Sequence, residues 1–180
     1  GEADHDIYTY GRQNWFDAVG REHKAVRERV GLFDQTSFAK FMLTGKDAEQ
    51  ALSWICANDV SGPVGRVTYT QMLNKRGGIE CDLTVTRLAH DAYYIVTGTG
   101  FATHDFHWIA SNIPRGLDAK LSDVTSAFGV LSLMGPKAPE VLQSVTYHDV
   151  SHAALPFARM KEIAIAGTMV EVEDGQIVNG

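Results

Sequence analysis

The sequence is poor in cysteine, in clustered positive charge and in long apolar runs, and each shortage excludes something. Cys56 and Cys81 are the only cysteines, and they form no C-x-x-C pattern. Two residues so spaced make neither a disulfide framework nor a zinc site of the usual kind, and they fit a reducing compartment. Lys and Arg total 16 against 22 Asp and Glu, a formal net charge of −6. Binding to nucleic acid needs clustered Lys and Arg to meet the phosphates, so no nucleic-acid partner is expected. The nearest thing to a cluster, "GREHKAVRERVG", interleaves its basic residues with Glu22 and Glu28 at helical spacing, the pattern of a solvated helix face. No apolar run approaches the roughly 20 residues that span a bilayer. The opening "GEADHDIYTYG" has no signal-peptide character, so no membrane partner is expected either. What remains is an ordinary globular composition, 44% hydrophobic over 180 residues, enough for one domain with a sizeable core.

The apolar pattern alternates between helical and strand periods. In "NWFDAVGREHKAVRERVG", Trp15, Val19, Val26 and Val30 fall at helical spacing, with Asn14 placed to cap and Gly31 to stop. "LFDQTSFAKFMLTG" reads as one long or two short strands, and "KDAEQALSWICAND" as a helix with Ala48, Leu52, Ile55 and Cys56 on one face. Strands follow in "GRVTYTQML", "IECDLTVTRL" and "YYIVTGT", then a helix in "FATHDFHWIASNI". "AKLSDV" and "FGVLSLMG" are strands, "KAPEVLQSV" is a short helix, and "KEIAIAG" with "TMVEVE" makes a hairpin closed near Gly167. The central connections are too short for parallel crossovers. The expected class is α+β, a mainly antiparallel sheet with flanking helices.

Several motifs invite a functional reading. Gly98-x-Gly100 follows a strand and opens a helix, with Asp118 further on, but Thr103 stands at the third glycine position and no βαβ unit surrounds it. It reads as a strand-to-helix turn. His104 and His107 share a helix face, but no third ligand lies at a usual spacing, so no metal site is expected. The sequence has no G-x-S-x-G and no Walker loop. Along "IECDLTVTR", alternation puts Ile79, Cys81, Leu83 and Val85 on one face and Glu80, Asp82, Thr84 and Thr86 on the other. Asp82 is then either simply on the wet side or aimed into a cavity from a rigid strand, where it could stabilise a developing cation. The pattern leaves both open.

Larger stretches carry a resemblance: "YGRQNWFDAVGREHKAVRERVGLFDQTSFAKF", "ANDV", "GRVTYTQMLNKRGGIECDLTVTRL", "YYIVTG", "DVTSAFGVLSLMGP" and "LPFA". Together they resemble the folate-binding aminomethyltransferase domain of glycine-cleavage T-protein. The opening "YGRQNWF" is most similar to the C-terminal part of dimethylglycine and sarcosine dehydrogenases. The resemblance implies a tetrahydrofolate-binding domain that captures a one-carbon unit from an N-methyl amine, with FAD on a separate domain. It places Asp82 at the family's catalytic aspartate, with Cys81 where the first acid of "GG-x-x-D-D-L" usually stands. It places Phe38, Tyr69, Tyr94 and Val96 around the pterin or its linker. It also implies a first subdomain over about 10–117 and the start of a second over 118–180.

One departure matters. The family continues from the equivalent of "EIAIAGTMV" into "Y-V-G-E-x-G-W-E-L", whose first Glu holds the pterin, whereas this chain ends "EVEDGQIVNG". The expectation is therefore a piece of a larger enzyme, cytoplasmic or in the mitochondrial matrix of a eukaryote, without turnover alone. A homo-oligomer through surface left bare is expected with it. The alternative is a non-catalytic regulatory or interaction module of the same fold.

Overall fold

The computed structural model describes residues 5–173 and 176–179. It is built from two five-stranded sheets in which every strand pair is antiparallel. The α+β class is as the sequence pattern indicates. Helix α1 spans Phe16–Glu28, followed by β1 (Gly31–Asp34), β2 (Ala39–Thr44), helix α2 (Ala48–Ile55), β3 (Val67–Leu73), β4 (Ile79–Ala89) and β5 (Ala92–Thr97). Helix α3 (Ala102–Asn112) leads to β6 (Lys120–Asp123), β7 (Gly129–Met134), helix α4 (Ala138–Gln143), β8 (Met160–Ile165), β9 (Thr168–Glu173) and β10 (Gln176–Asn179). The first sheet has the order β3-β4-β5-β2-β6, and the second β1-β7-β10-β9-β8. The segment "LFDQTSFAKFMLTG" thus supplies one strand to each.

Each sheet buries one face under helices or loops, because alternate side chains of each strand are apolar. In the first sheet, Phe41 and Leu43 of β2, Tyr93 and Ile95 of β5, and Leu83 and Val85 of β4 pack beneath Ala51 and Leu52 of α2 and Ile109 of α3. In the second, Leu133, Ile163, Val170 and Val172 pack with Leu142, Val150 and Leu155. A smaller cluster joins the sheets: Tyr94 and Val130, with Met42, Val96 and Phe128 against them. The main chain joins them as well. Val67 N–H donates to the Ala158 carbonyl at 3.0 Å, and Met160 N–H to the Gly65 carbonyl at 2.7 Å.

Three local expectations change. Asn14 does not cap α1. Its Oδ1 accepts from Ile7 N–H at 2.9 Å and its Nδ2 donates to the His5 carbonyl at 3.0 Å, so the side chain folds back on the preceding segment. Trp15 takes the cap position with no side-chain bond, and no residue of α1 is buried. The third change is in β4. Leu73 pairs with Ile79 and Met72 with Cys81, leaving Glu80 as a bulged residue. The bulge puts Ile79 on the same face as Asp82, where it is exposed, and turns Glu80 towards α3. The Gly98 segment belongs to no βαβ unit, since β5 is antiparallel to both neighbours.

The β8–β9 hairpin closes through Ala166 (φ 48) and Gly167 (φ 86), both left-handed, as a two-residue type I′ turn requires. A left-handed alanine costs about 1 kcal/mol, and asparagine tolerates the conformation better. Ala166→Asn is therefore expected to stabilise the protein by about 0.5–1 kcal/mol, read as a raised urea midpoint at unchanged m-value.

Candidate functional site

The register of the first sheet aligns one row of side chains across its uncovered face. Tyr69 pairs with Thr84, Thr84 with Val96, and Val96 with Lys40. One pair further along, Gln71 stands opposite Asp82. Of these, Tyr69, Asp82, Thr84 and Val96 line the floor of an open cleft of about 390 Å³, within the size range of small-molecule sites. Its other walls come from the 35–38 turn, through Gln35 and Phe38, from Val130 of β7, and from Phe157 and Ala158 ahead of β8.

Four of the five positions named by resemblance line this cleft: Phe38, Tyr69, Asp82 and Val96. Tyr94 does not. It is 1% exposed and meets Phe128 edge-on, with ring centroids 5.8 Å apart. The reason is its register. Tyr94 pairs with Thr86 and Met42, one step along the sheet, where Phe128 and Val130 cover the face. Its ring packs between the sheets and does not line the cleft.

Asp82 lies at the open side of the cleft and, among the described residues, is the only charged one lining it. Gln71 Nε2 donates to its Oδ1 at 3.0 Å, a bond between cross-strand neighbours that fixes the carboxylate's direction. The Tyr69 phenol is held above its ordinary pKa, first by the Asp82 carboxylate as hydrogen-bond acceptor, then by burial and by that carboxylate's charge. Tyr69 is itself well exposed, and its ring stands open to the cleft.

The sequence did not single out several residues that shape this site. Lys40 is fully buried, and its Nζ donates to the Thr36 carbonyl at 2.7 Å and the Phe38 carbonyl at 3.0 Å. Burial pulls its pKa down, while Asp123 and Asp34 act in the opposite sense. The ammonium ties down the turn that presents Phe38. Gln71 was hidden because it reads as a routine polar position in a strand. Phe157 sits on the rim, exposed, next to Ala158, whose φ of 58 is rare for a residue with a Cβ. The "LPFA" stretch was the only signal for it. His104 and His107 do not converge; His104 instead meets Asp105 and Glu80.

The structure is an antiparallel α+β core with the Asp82 carboxylate on an aromatic-walled cleft. The family model described as the GCVT N-terminal domain matches residues 5–173, and the chain belongs to that family. It is 39% identical over 168 residues to 4-methylaminobutanoate oxidase (formaldehyde-forming) of Paenarthrobacter nicotinovorans, covering 93% of this chain and 19% of that protein. It is 38% identical to the mitochondrial dimethylglycine dehydrogenase of Mus musculus, over 88% of this chain and 18% of the relative. It is 33% identical to the mitochondrial pyruvate dehydrogenase phosphatase regulatory subunit of the same species, over 87% and 18%. The chain thus spans about a fifth of the length of these relatives. Among solved structures, the glycine cleavage system aminomethyltransferase T of Bartonella henselae superimposes with a TM-score of 0.75 at 25% identity, over 88% of this chain and 44% of that one. The chain is an aminomethyltransferase-like domain related to dimethylglycine and sarcosine dehydrogenases. Among the described residues no helix is long and apolar enough to cross a membrane.

The contact between Asp82 and Tyr69 can be tested without any ligand. In Asp82→Asn the phenol loses its charged acceptor, so one tyrosine is expected to titrate at lower pH than in the parent. Alkaline difference absorbance checks this, and the shift should vanish in a Tyr69→Phe background. An unchanged titration would show that the two groups do not interact.

Proposed function

We propose that this chain is the folate-binding, one-carbon-transfer domain of a flavin-dependent N-methyl amine dehydrogenase. The observation that carries the reading is the carboxylate of Asp82, the one charged group among the described residues lining a cleft walled by aromatic and apolar groups. Tetrahydrofolate, when bound, supplies a nucleophilic nitrogen for a one-carbon unit at the iminium oxidation level, the amine having been oxidised on a separate flavin domain. The chain's own residues supply the rest. Phe38 and Tyr69 offer ring faces to a flat heterocycle, and Val96 offers an apolar floor. Asp82 would stabilise positive charge growing on an attacking nitrogen and would accept the proton that nitrogen gives up. Gln71 keeps the accepting oxygen in place.

Losing a preorganised charge contact of this kind costs about two to three decades in rate. The small N-methyl amine, the compartment (cytoplasm or mitochondrial matrix) and self-association through apolar surface belong to the same proposal. The likeness to a phosphatase regulatory subunit favours a second reading, a non-catalytic module that keeps the fold.

Calorimetric titration with tetrahydrofolate separates the two. Saturable binding is expected. It should weaken about tenfold to a hundredfold in Asp82→Ala, the scale of one charge-assisted hydrogen bond, with no loss in thermal midpoint. Absence of saturable binding overturns the first reading and leaves the second. Equal binding by the variant removes Asp82 from the site.

A further inference from the structure

On the opposite side of β4 from the cleft, a second group of side chains converges that the proposed reaction does not use. Cys81 points under α3 and is 2% exposed, and Asp105 of α3 is 1% exposed. One ligand atom from each of Cys81, His104 and Asp105 lies within 4.8 Å of the others. We propose that Cys81, His104 and Asp105 form a binding site for a borderline divalent cation of the zinc type, clamping α3 to the bulged end of β4.

The donor set selects the cation. A thiolate, an imidazole and a carboxylate suit Zn²⁺ or Co²⁺, whereas Mg²⁺ and Ca²⁺ take oxygen ligands. Bonds of about 2.0–2.3 Å place tetrahedral donors roughly 3.3–3.6 Å apart, so small side-chain rotations complete the set. Three protein donors leave the fourth position to water.

A second feature singles this cluster out from a chance meeting of polar groups. His104 and Asp105 already have partners of the kind that orient ligands in metal sites. His104 Nδ1 lies 2.9 Å from Asp105 Oδ1, and its Nε2 lies 3.5 Å from Glu80 Oε2. An imidazole that binds metal through one nitrogen and donates the other N–H to a carboxylate is the usual arrangement. Asp105 Oδ2 in turn accepts from Thr97 Oγ1 at 2.5 Å, and the cation takes the place of the proton between His104 Nδ1 and Asp105 Oδ1, with His104 Nε2–H facing Glu80. The bulge at Glu80 is what turns that carboxylate to the helix side. Binding converts the Cys81 thiol to a thiolate and releases its proton to solvent, with no change in oxidation state.

The test uses Co²⁺ and Zn²⁺ alone, added to the whole chain. Co²⁺ is expected to bind one equivalent and give the near-ultraviolet thiolate-to-cobalt absorption of a sulfur-ligated site, with Zn²⁺ displacing it. Cys81→Ala should abolish that band. His104→Ala, at a half-exposed position that does not threaten the core, should weaken Zn²⁺ binding at least tenfold while the metal-free protein melts as before. Cys56→Ala and His107→Ala should change neither. No band, a band that survives in Cys81→Ala, or Zn²⁺ affinity unchanged in His104→Ala overturns the site. A band lost in Cys56→Ala with Cys81 intact would also overturn it.

Discussion

The site depends on the pleat of β4. Its dry face, through Cys81, Leu83 and Val85, is held under α2 and α3. Shifting the strand by one residue would carry Asp82 into that layer as an unpaired buried charge, at a cost of several kcal/mol. The apolar packing on one side therefore dictates where the carboxylate points on the other. The hairpin that starts β4 reinforces this register. Asn74 Oδ1 accepts from the N–H groups of both Arg76 and Gly78, and Gly77 adopts φ 81 between them. Strand and turn agree, so Asp82 is held by elements rather than by a loop.

The opposite wall is built in another way. The 35–38 turn has little apolar surface to hold it, and its carbonyls need donors. Lys40 supplies them from beneath, with an ammonium fully removed from water. Removing a charge from water is costly, and a buried ion is weak ground for stability. What the ammonium secures is the path of the turn and so the position of Phe38. Val130 closes the same wall from the second sheet, and its carbonyl accepts from Gln35 N–H at 2.8 Å. The cleft thus exists only because both sheets meet at this point.

Much of this was legible in the sequence. The alternation in "IECDLTVTR" and the two-residue break at Gly167 led to correct strands, because period and turn chemistry are local. The site was legible only in part. Asp82 could be placed on a face, but whether that face met solvent or a cleft depended on the second sheet, which no local pattern describes. Tyr94 shows the same limit from the other direction: its strand position is one step from Val96, yet Phe128 covers it. The bulge at Glu80 was invisible to a strict two-residue period, and it reversed the faces of Ile79 and Glu80. Asn14 obeyed composition rules for a cap and found other partners. Lys40 gave no signal, since a lysine in a strand normally reads as solvated.

The two faces of β4 also differ in how their charges are balanced, and the difference bears on chemistry. On the helix side, the carboxylates of Glu80 and Asp105 have an imidazole between them and a hydroxyl donor at Thr97. On the cleft side, Asp82 has the neutral amide of Gln71 and the phenol of Tyr69, and no cation is among the described residues lining the wall. A lysine or arginine there would neutralise the carboxylate before any ligand arrived. Without a neutralising partner, its field, screened by water while the cleft is open, acts on whatever positive charge appears there and strengthens as a ligand displaces water and lowers the effective dielectric. A group that becomes cationic only during reaction gains more from such an environment than one that is neutral throughout, which is the condition for selective stabilisation of a transition state.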